Sequence, residues 1–138
     1  MHGKMRRTCW RVLLPYLLLA ASVCACGDTA TRPVNHRPAI SSLTALPSVI
    51  TRADSATVTC IGMDPDGDRL VYDWITDGRL RIRDARPGDH SLYNTQANSM
   101  VFYPDFVTSP PDTPWVQCFA RDGRGMSDNR IVTFIVRE

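Results

Sequence analysis

Asp64-Pro65-Asp66-Gly67-Asp68 places three carboxylates at alternate positions of one short run. Alternating oxygen ligands on a tight loop are a common way to gather calcium, a hard cation that prefers oxygen donors. The spacing matches the first half of a twelve-residue calcium loop. The twelfth position, where a bidentate Glu would complete it, is Ile75. The competing reading is a solvated turn in which the Asp side chains accept from nearby backbone N–H groups. Arg79, Arg81, Arg83 and Arg86 form a second constellation. Such a row could bind an acidic surface or an anionic polysaccharide, or it could guard the edge of a sheet against pairing with another chain. Trp115 and Phe119, on either side of Gln117, are a third. Aromatic faces stack on sugar rings or mark an interface, unless a neighbouring strand covers them. Catalysis has little to work with. There is no HExxH, no Gly-rich phosphate loop and no serine in a nucleophile elbow, and His36 and His90 stand apart from any nucleophile. Enzymatic activity is not expected, and calcium is the one cofactor that the side chains offer to hold.

The elements that must position these groups are short strands. Residues 56–61 alternate Ala56, Val58 and Cys60 against Thr57, Thr59 and Ile61. Residues 70–75 alternate Leu70, Tyr72 and Trp74 against Val71, Asp73 and Ile75, and residues 115–120 alternate Val116, Cys118 and Ala120 against Trp115, Gln117 and Phe119. Period two is the signature of a strand with one buried face. Asp77-Gly78 signals a hairpin, after which Leu80 and Ile82 face inward and Arg79, Arg81 and Arg83 outward. Residues 84–98 read as a long polar loop. Residues 40–46 form a weak first strand stopped by Pro47, residues 99–103 a strand ended by Pro104, and residues 130–136 the last strand, after the turn Asp122-Gly123-Arg124-Gly125. No helical period is present. The pattern predicts an all-β, antiparallel β-sandwich of about seven strands over residues 39–138, with Val58, Tyr72, Trp74 and Val116 in its core.

The first part of the chain has a different character. Lys4, Arg6, Arg7 and Arg11 precede an apolar stretch over residues 12–23, too short to cross a bilayer as a helix. It ends in Val23-Cys24-Ala25-Cys26. This resembles the lipobox of bacterial lipoproteins, in which an aliphatic residue and two small residues precede the cysteine that is cut and lipidated. The resemblance implies a signal peptide over 1–25, a lipidated Cys26 attached to the membrane, and a flexible tether over 26–38. Plain secretion and an uncleaved anchor are the alternatives. Gly27, where an Asp would signal retention, implies transfer to the outer membrane of a cell envelope. With four of the 16 basic residues in the leader, 12 basic face 14 acidic residues in the mature chain, a net charge of −2 that removes the case for a nucleic-acid partner. The same resemblance disposes of Cys9, Cys24 and Cys26, and leaves Cys60 and Cys118 as an even pair in an oxidising compartment, which implies a disulfide. Such a bridge stabilises by roughly 4 kcal/mol in the chain-entropy account.

Cys60, Trp74 and Cys118 follow the order of an immunoglobulin core, in which a Trp packs on a bridge between two sheets. Val116 stands where a tyrosine corner would be, so the antibody type is not indicated. The chain is more similar to bacterial PKD-like and cadherin-like Ig modules. The shared features are Asn35-His36-Arg37-Pro38, the aspartate loop at 64–68, Leu70-Val71-Tyr72-Asp73-Trp74, and Asp122-Gly123-Arg124-Gly125. The cysteine pair departs from the usual pattern of PKD modules. The resemblance implies that the loops holding Asp64, Asp66, Asp68 and Asp122 lie at one end and could share a calcium ion. It also implies a lipid-anchored envelope protein displaying one Ig-like domain for structural or protein-interaction roles. A carbohydrate-binding accessory using Trp115, Phe119, Arg79, Arg81 or Arg83, and a small subunit of a larger envelope complex, are the alternatives. The partner would be an unnamed protein or glycan.

Overall fold

A computed structural model describes residues 33–105, 109–125 and 127–138 of the chain. The leader expected over residues 1–25 and the expected lipidation site Cys26 lie outside the described residues. The described chain forms ten strands: β1 (Ala39–Leu46), β2 (Val49–Thr51), β3 (Ala56–Met63), β4 (Val71–Thr76), β5 (Leu80–Ile82), β6 (Ser91–Thr95), β7 (Ser99–Pro104), β8 (Trp115–Arg121), β9 (Ser127–Thr133) and β10 (Ile135–Arg137). Two four-stranded antiparallel sheets, ordered β1-β3-β7-β5 and β6-β4-β8-β9, are joined by a parallel pairing of β2 with β10.

The alternation read from the sequence decides which face is buried. Ala56, Val58 and Cys60 of β3, Leu80 and Ile82 of β5, and Met100 and Phe102 of β7 meet Tyr72 and Trp74 of β4 and Val116, Cys118 and Ala120 of β8. Successive side chains of a strand point to opposite faces, so each strand contributes every second residue to the space between the sheets. Trp74 is fully buried, and its ring centre lies 5.9 Å from that of Phe102, with the planes tilted by 57°. Its indole N–H donates to the Ala97 carbonyl at 3.2 Å, so the largest core side chain is buried with its polar atom satisfied.

In immunoglobulin terms β1, β3, β7 and β5 occupy positions A, B, E and D, and β6, β4, β8 and β9 occupy C′, C, F and G. The order along the chain is altered, because the D position is filled before C′. This corrects the hairpin expected at Asp77-Gly78. β4 has β6 on one side and β8 on the other, so the strand that follows it has no place in the same sheet and crosses to the opposite one. The tight turn itself forms. Gly78 takes φ +86°, a left-handed conformation that costs glycine little. The Thr76 hydroxyl accepts from Gly78 N at 3.2 Å and the Asp77 carboxylate from Arg79 N at 3.1 Å. A second difference is β6, which lies inside the stretch expected to be loop. Its sequence, Ser-Leu-Tyr-Asn-Thr, sends only Leu92 towards the core, too little to register as a buried face.

The expected Cys60–Cys118 disulfide is also corrected. Both cysteines are free thiols, fully buried, on β3 and β8 of opposite sheets. Some residues of these strands approach within 8 Å at Cα. The Cys118 thiol donates to the Phe119 carbonyl at 3.8 Å. The neighbouring Cys60 thiol, together with burial, pushes the Cys118 thiol above its ordinary pKa.

Candidate functional site

At one end of the sandwich the loop after β3 and the loop after β8 meet the segment leading into β1. The Asp64 carboxylate accepts from Asp66 N at 2.8 Å and from Asp68 N at 3.3 Å, while Gly67 N donates to the Asp64 carbonyl at 3.1 Å. Asp66 is clamped by His36, whose backbone N donates at 2.6 Å and whose Nδ1 lies 2.7 Å from the other oxygen. These two bonds, the backbone one first, hold the Asp66 carboxyl below the usual carboxylate range. Asp68 pairs with Arg124 Nε at 3.1 Å. One oxygen from each of Asp64, Asp66 and Asp68 lies within 4.8 Å of the others.

Asp122 has a different role from the one the sequence implied. It is buried, with Asn35 Nδ2 donating to one oxygen at 2.7 Å and Arg124 N to the other at 2.7 Å. It braces the loop end, while the gathered carboxylates are the three of the first loop. Asn35 Oδ1, Asp64 Oδ2 and Asp68 Oδ2 are buried oxygens that accept no hydrogen bond, although Asp68 has its ion pair with Arg124. Reading the tether from composition missed Asn35 and His36 as structural residues. The compact unit begins at Val34, and Pro38 is fully buried. The available signal was the Asn-His-Arg-Pro motif directly before the first strand.

The outer face of the β6-β4-β8-β9 sheet carries Trp115 and Phe119. Both are half-buried, and Gln117 between them donates to Asn129 on β9 at 3.0 Å. Phe119 lies between Asp73 of β4 and Asn129 of β9, and Trp115 beside Thr133. The two rings are therefore set in a mixed surface. Asp73 is buried on this outer face, where its Oδ1 accepts from Arg121 Nη2 at 2.8 Å and Asn94 N at 2.8 Å. The same Arg121 nitrogen donates to Asn94 Oδ1 at 2.7 Å. Asn94 has φ 57° and sits where the pairing of β4 with β6 slips register. Tyr93 and Ile131, 57% and 58% exposed, are the most open apolar side chains of this sheet.

The arginines separate into two groups. Arg79 is engaged by Asp77, with Nε 3.0 Å from Oδ2, and by Asp112. The Asp77 bond raises its pKa further. Asp77 also accepts from Trp115 N at 3.1 Å, so Arg79 belongs to an ion cluster that ties together the end opposite the aspartate loop. Arg81 and Arg83 lie on and just beyond β5, which pairs only with β7 and is a sheet edge. Arg83 Nε donates to the Tyr103 hydroxyl at 2.7 Å, its guanidinium carbon 5.5 Å from the ring centre, and Arg81 Nε lies 3.9 Å from Asp105.

The strand order defines the class: an all-β, Ig-like antiparallel sandwich. No described protein family and no curated protein matches the sequence. Solved structures do resemble it. The N-terminal Ig1-2 module of the Drosophila receptor protein tyrosine phosphatase DLAR is 17% identical, over 75% of this chain and 50% of that one, with a TM-score of 0.44. The D00-D0 domain of Intimin is 11% identical over 78% of this chain and 50% of that one, with a TM-score of 0.49. A nucleoside hydrolase-related hypothetical protein from Saccharophagus degradans, associated with carbohydrate metabolism, is 13% identical over 75% of this chain and 26% of that one, with a TM-score of 0.49. The chain thus spans half or less of the length of each.

Proposed function

We propose that the chain is a lipid-anchored module of a bacterial cell envelope that presents one Ig-like sandwich for contact with another envelope protein. The anchoring half of this reading is supported by the basic head, the short apolar run and Cys26. One acyl chain binds a membrane only marginally, at ~0.8 kcal/mol per buried methylene, whereas the several chains of a lipoprotein cysteine make release negligible. The contact half is carried by the outer face of the β6-β4-β8-β9 sheet, where Tyr93 and Ile131 stand exposed on either side of the half-buried Phe119. Aromatic side chains such as tyrosine, ringed by polar neighbours, are enriched at protein interfaces. Gly27 after Cys26 supports an outer-membrane location in this reading.

Two experiments test it. Wild type should partition into detergent with an acylated Cys26 at its mature N-terminus, and Cys26→Ser should give a soluble or uncleaved form. A non-lipidated N-terminus elsewhere removes the anchor. A pull-down from solubilised membranes should recover a partner with wild type and not with Tyr93→Arg/Ile131→Arg. Capture indifferent to that pair removes the interface. A glycan-array signal that depends on Trp115 and Phe119 would install the carbohydrate reading instead.

A second reading concerns the aspartate loop. One carboxylate oxygen from each of Asp64, Asp66 and Asp68 lies within 4.8 Å of the others, and Asp64 Oδ2 is buried without a hydrogen-bond donor, an arrangement that suits a hard divalent cation such as calcium. Calcium bound to the folded state alone would add about 2.7 kcal/mol at a hundredfold excess over Kd. Melting followed into the millimolar range, where extracellular modules bind, tests this. A calcium-dependent rise that Asp64→Asn abolishes supports the site, and an unchanged melt rejects it.

A further inference from the structure

Below the β5 edge, the chain after Ile82 folds back through two turns, with Ala85 N donating to the Ile82 carbonyl at 3.2 Å and Asp89 N to the Arg86 carbonyl at 2.9 Å. Gly88, at φ +88°, allows the second reversal. The result is a trough of about 330 Å³ walled by Arg81, Arg83, Arg86, Pro87 and Tyr103. Three guanidinium groups line it and no carboxylate does, although Asp84 and Asp89 stand in the same turns. This concentration of positive charge occurs in a chain whose mature part is net negative.

We propose that this trough binds an anionic polysaccharide, a chain of sugar rings bearing carboxylate groups. Edge protection requires charged side chains that face solvent, and it does not require them to surround a hollow. Here Arg83 is aimed by its bond to the Tyr103 hydroxyl and by stacking on the ring, which leaves its remaining N–H groups to donate. Arg86 is exposed and has no ion-pair partner among the described residues. Arg81 on β5 and Arg83 in the turn that follows it both wall the trough, so acidic groups along one polymer can engage more than one arginine. A planar guanidinium donates two parallel N–H bonds to one carboxylate. Pro87, Ala85 and the Tyr103 ring supply apolar surface between the charges, which suits the C–H faces of sugar rings better than it suits a bare inorganic anion.

The test uses the purified full chain at low ionic strength with polygalacturonate as the probe, and neutral dextran and a DNA duplex of equal charge as comparisons. Binding to polygalacturonate is expected, with none to dextran and markedly weaker binding to DNA. Arg86→Ala removes no contact of the fold and should weaken binding about tenfold, the worth of one charged hydrogen bond. Arg81→Ala/Arg83→Ala should abolish binding while the protein still melts in one cooperative transition, and Arg130→Ala on β9, at the opposite edge, should change nothing. Equal binding to DNA would reduce the trough to unspecific charge attraction and overturn the proposal. So would polygalacturonate binding that Arg86→Ala leaves unchanged. These outcomes leave the membrane pull-down untouched, because Tyr93 and Ile131 lie on the other sheet.

Discussion

Arg121→Ala is the substitution whose cost the structure fixes most closely. Asp73 sits on the outer face of β4 yet is only 9% exposed, and its carboxylate has two donors, Arg121 Nη2 and Asn94 N, each at 2.8 Å. Removing the guanidinium leaves a buried negative charge with a single amide. Breaking a fully buried pair in this way costs about 3–5 kcal/mol. Here the Arg121 side chain is 37% exposed, so water can enter the space it leaves, and the discounted loss is about 2 kcal/mol. For a domain of this size that is a fall in melting temperature of about 10 °C. Asp73→Asn in the Arg121→Ala background should recover roughly half of the loss, because no uncompensated charge remains. Urea unfolding of wild type, both single variants and the double variant closes the cycle. A loss below about 0.5 kcal/mol for Arg121→Ala, or strictly additive singles, would show that Asp73 is solvated after all and that the slip between β4 and β6 is held by something other than this pair.

Three further outcomes are expected. Phe102→Ala should cost about 3–5 kcal/mol and shift Trp74 fluorescence to the red, since it empties the space against the indole; a blue or unchanged spectrum would contradict that packing. Because His36 lowers the Asp66 pKa, its stabilising effect is complete above the unfolded value of ~3.9 and disappears as pH falls through the lower folded value; the urea midpoint should drop in that acid window, and identical pH profiles for Asp66→Asn and wild type would refute the clamp. Cys60 and Cys118 should resist thiol reagents in the folded protein and react after denaturation, as mapped peptide by peptide; labelling in the native state would contradict their burial.

The sandwich was legible where period two is strict. Val58 and Cys60, Tyr72 and Trp74, and Val116 and Cys118 all point inward as the alternation requires. The order of strands was not legible, because a tight turn looks the same whether it returns the chain to its own sheet or sends it to the other. What decides at Asp77-Gly78 is that β6, beginning at Ser91 and nearly devoid of apolar side chains, takes the place beside β4. The aspartate loop was visible as a motif. Its neighbours were hidden, since Asn35 and His36 reach Asp122 and Asp66 over sequence separations of 87 and 30 residues. Arg79 was indistinguishable from Arg81 and Arg83 by pattern, and only the fold brings Asp112 to it.

β1 begins beside the aspartate loop, with Ala39 opposite Met63, whereas β9 runs away from that end and hands over to β10, held by β2 and by Asp112 at the other. The segment around Asn35 and the strand Ile135–Arg137 are therefore at opposite ends of the sandwich. Tension applied between them would run along the strands, and would load many ladder hydrogen bonds of β1 and β9 together in shear instead of peeling them one at a time. Resistance to such a pull is governed by the unfolding rate and not by equilibrium stability. A module built this way can act as a stiff link, passing load lengthwise from one end to the other without opening.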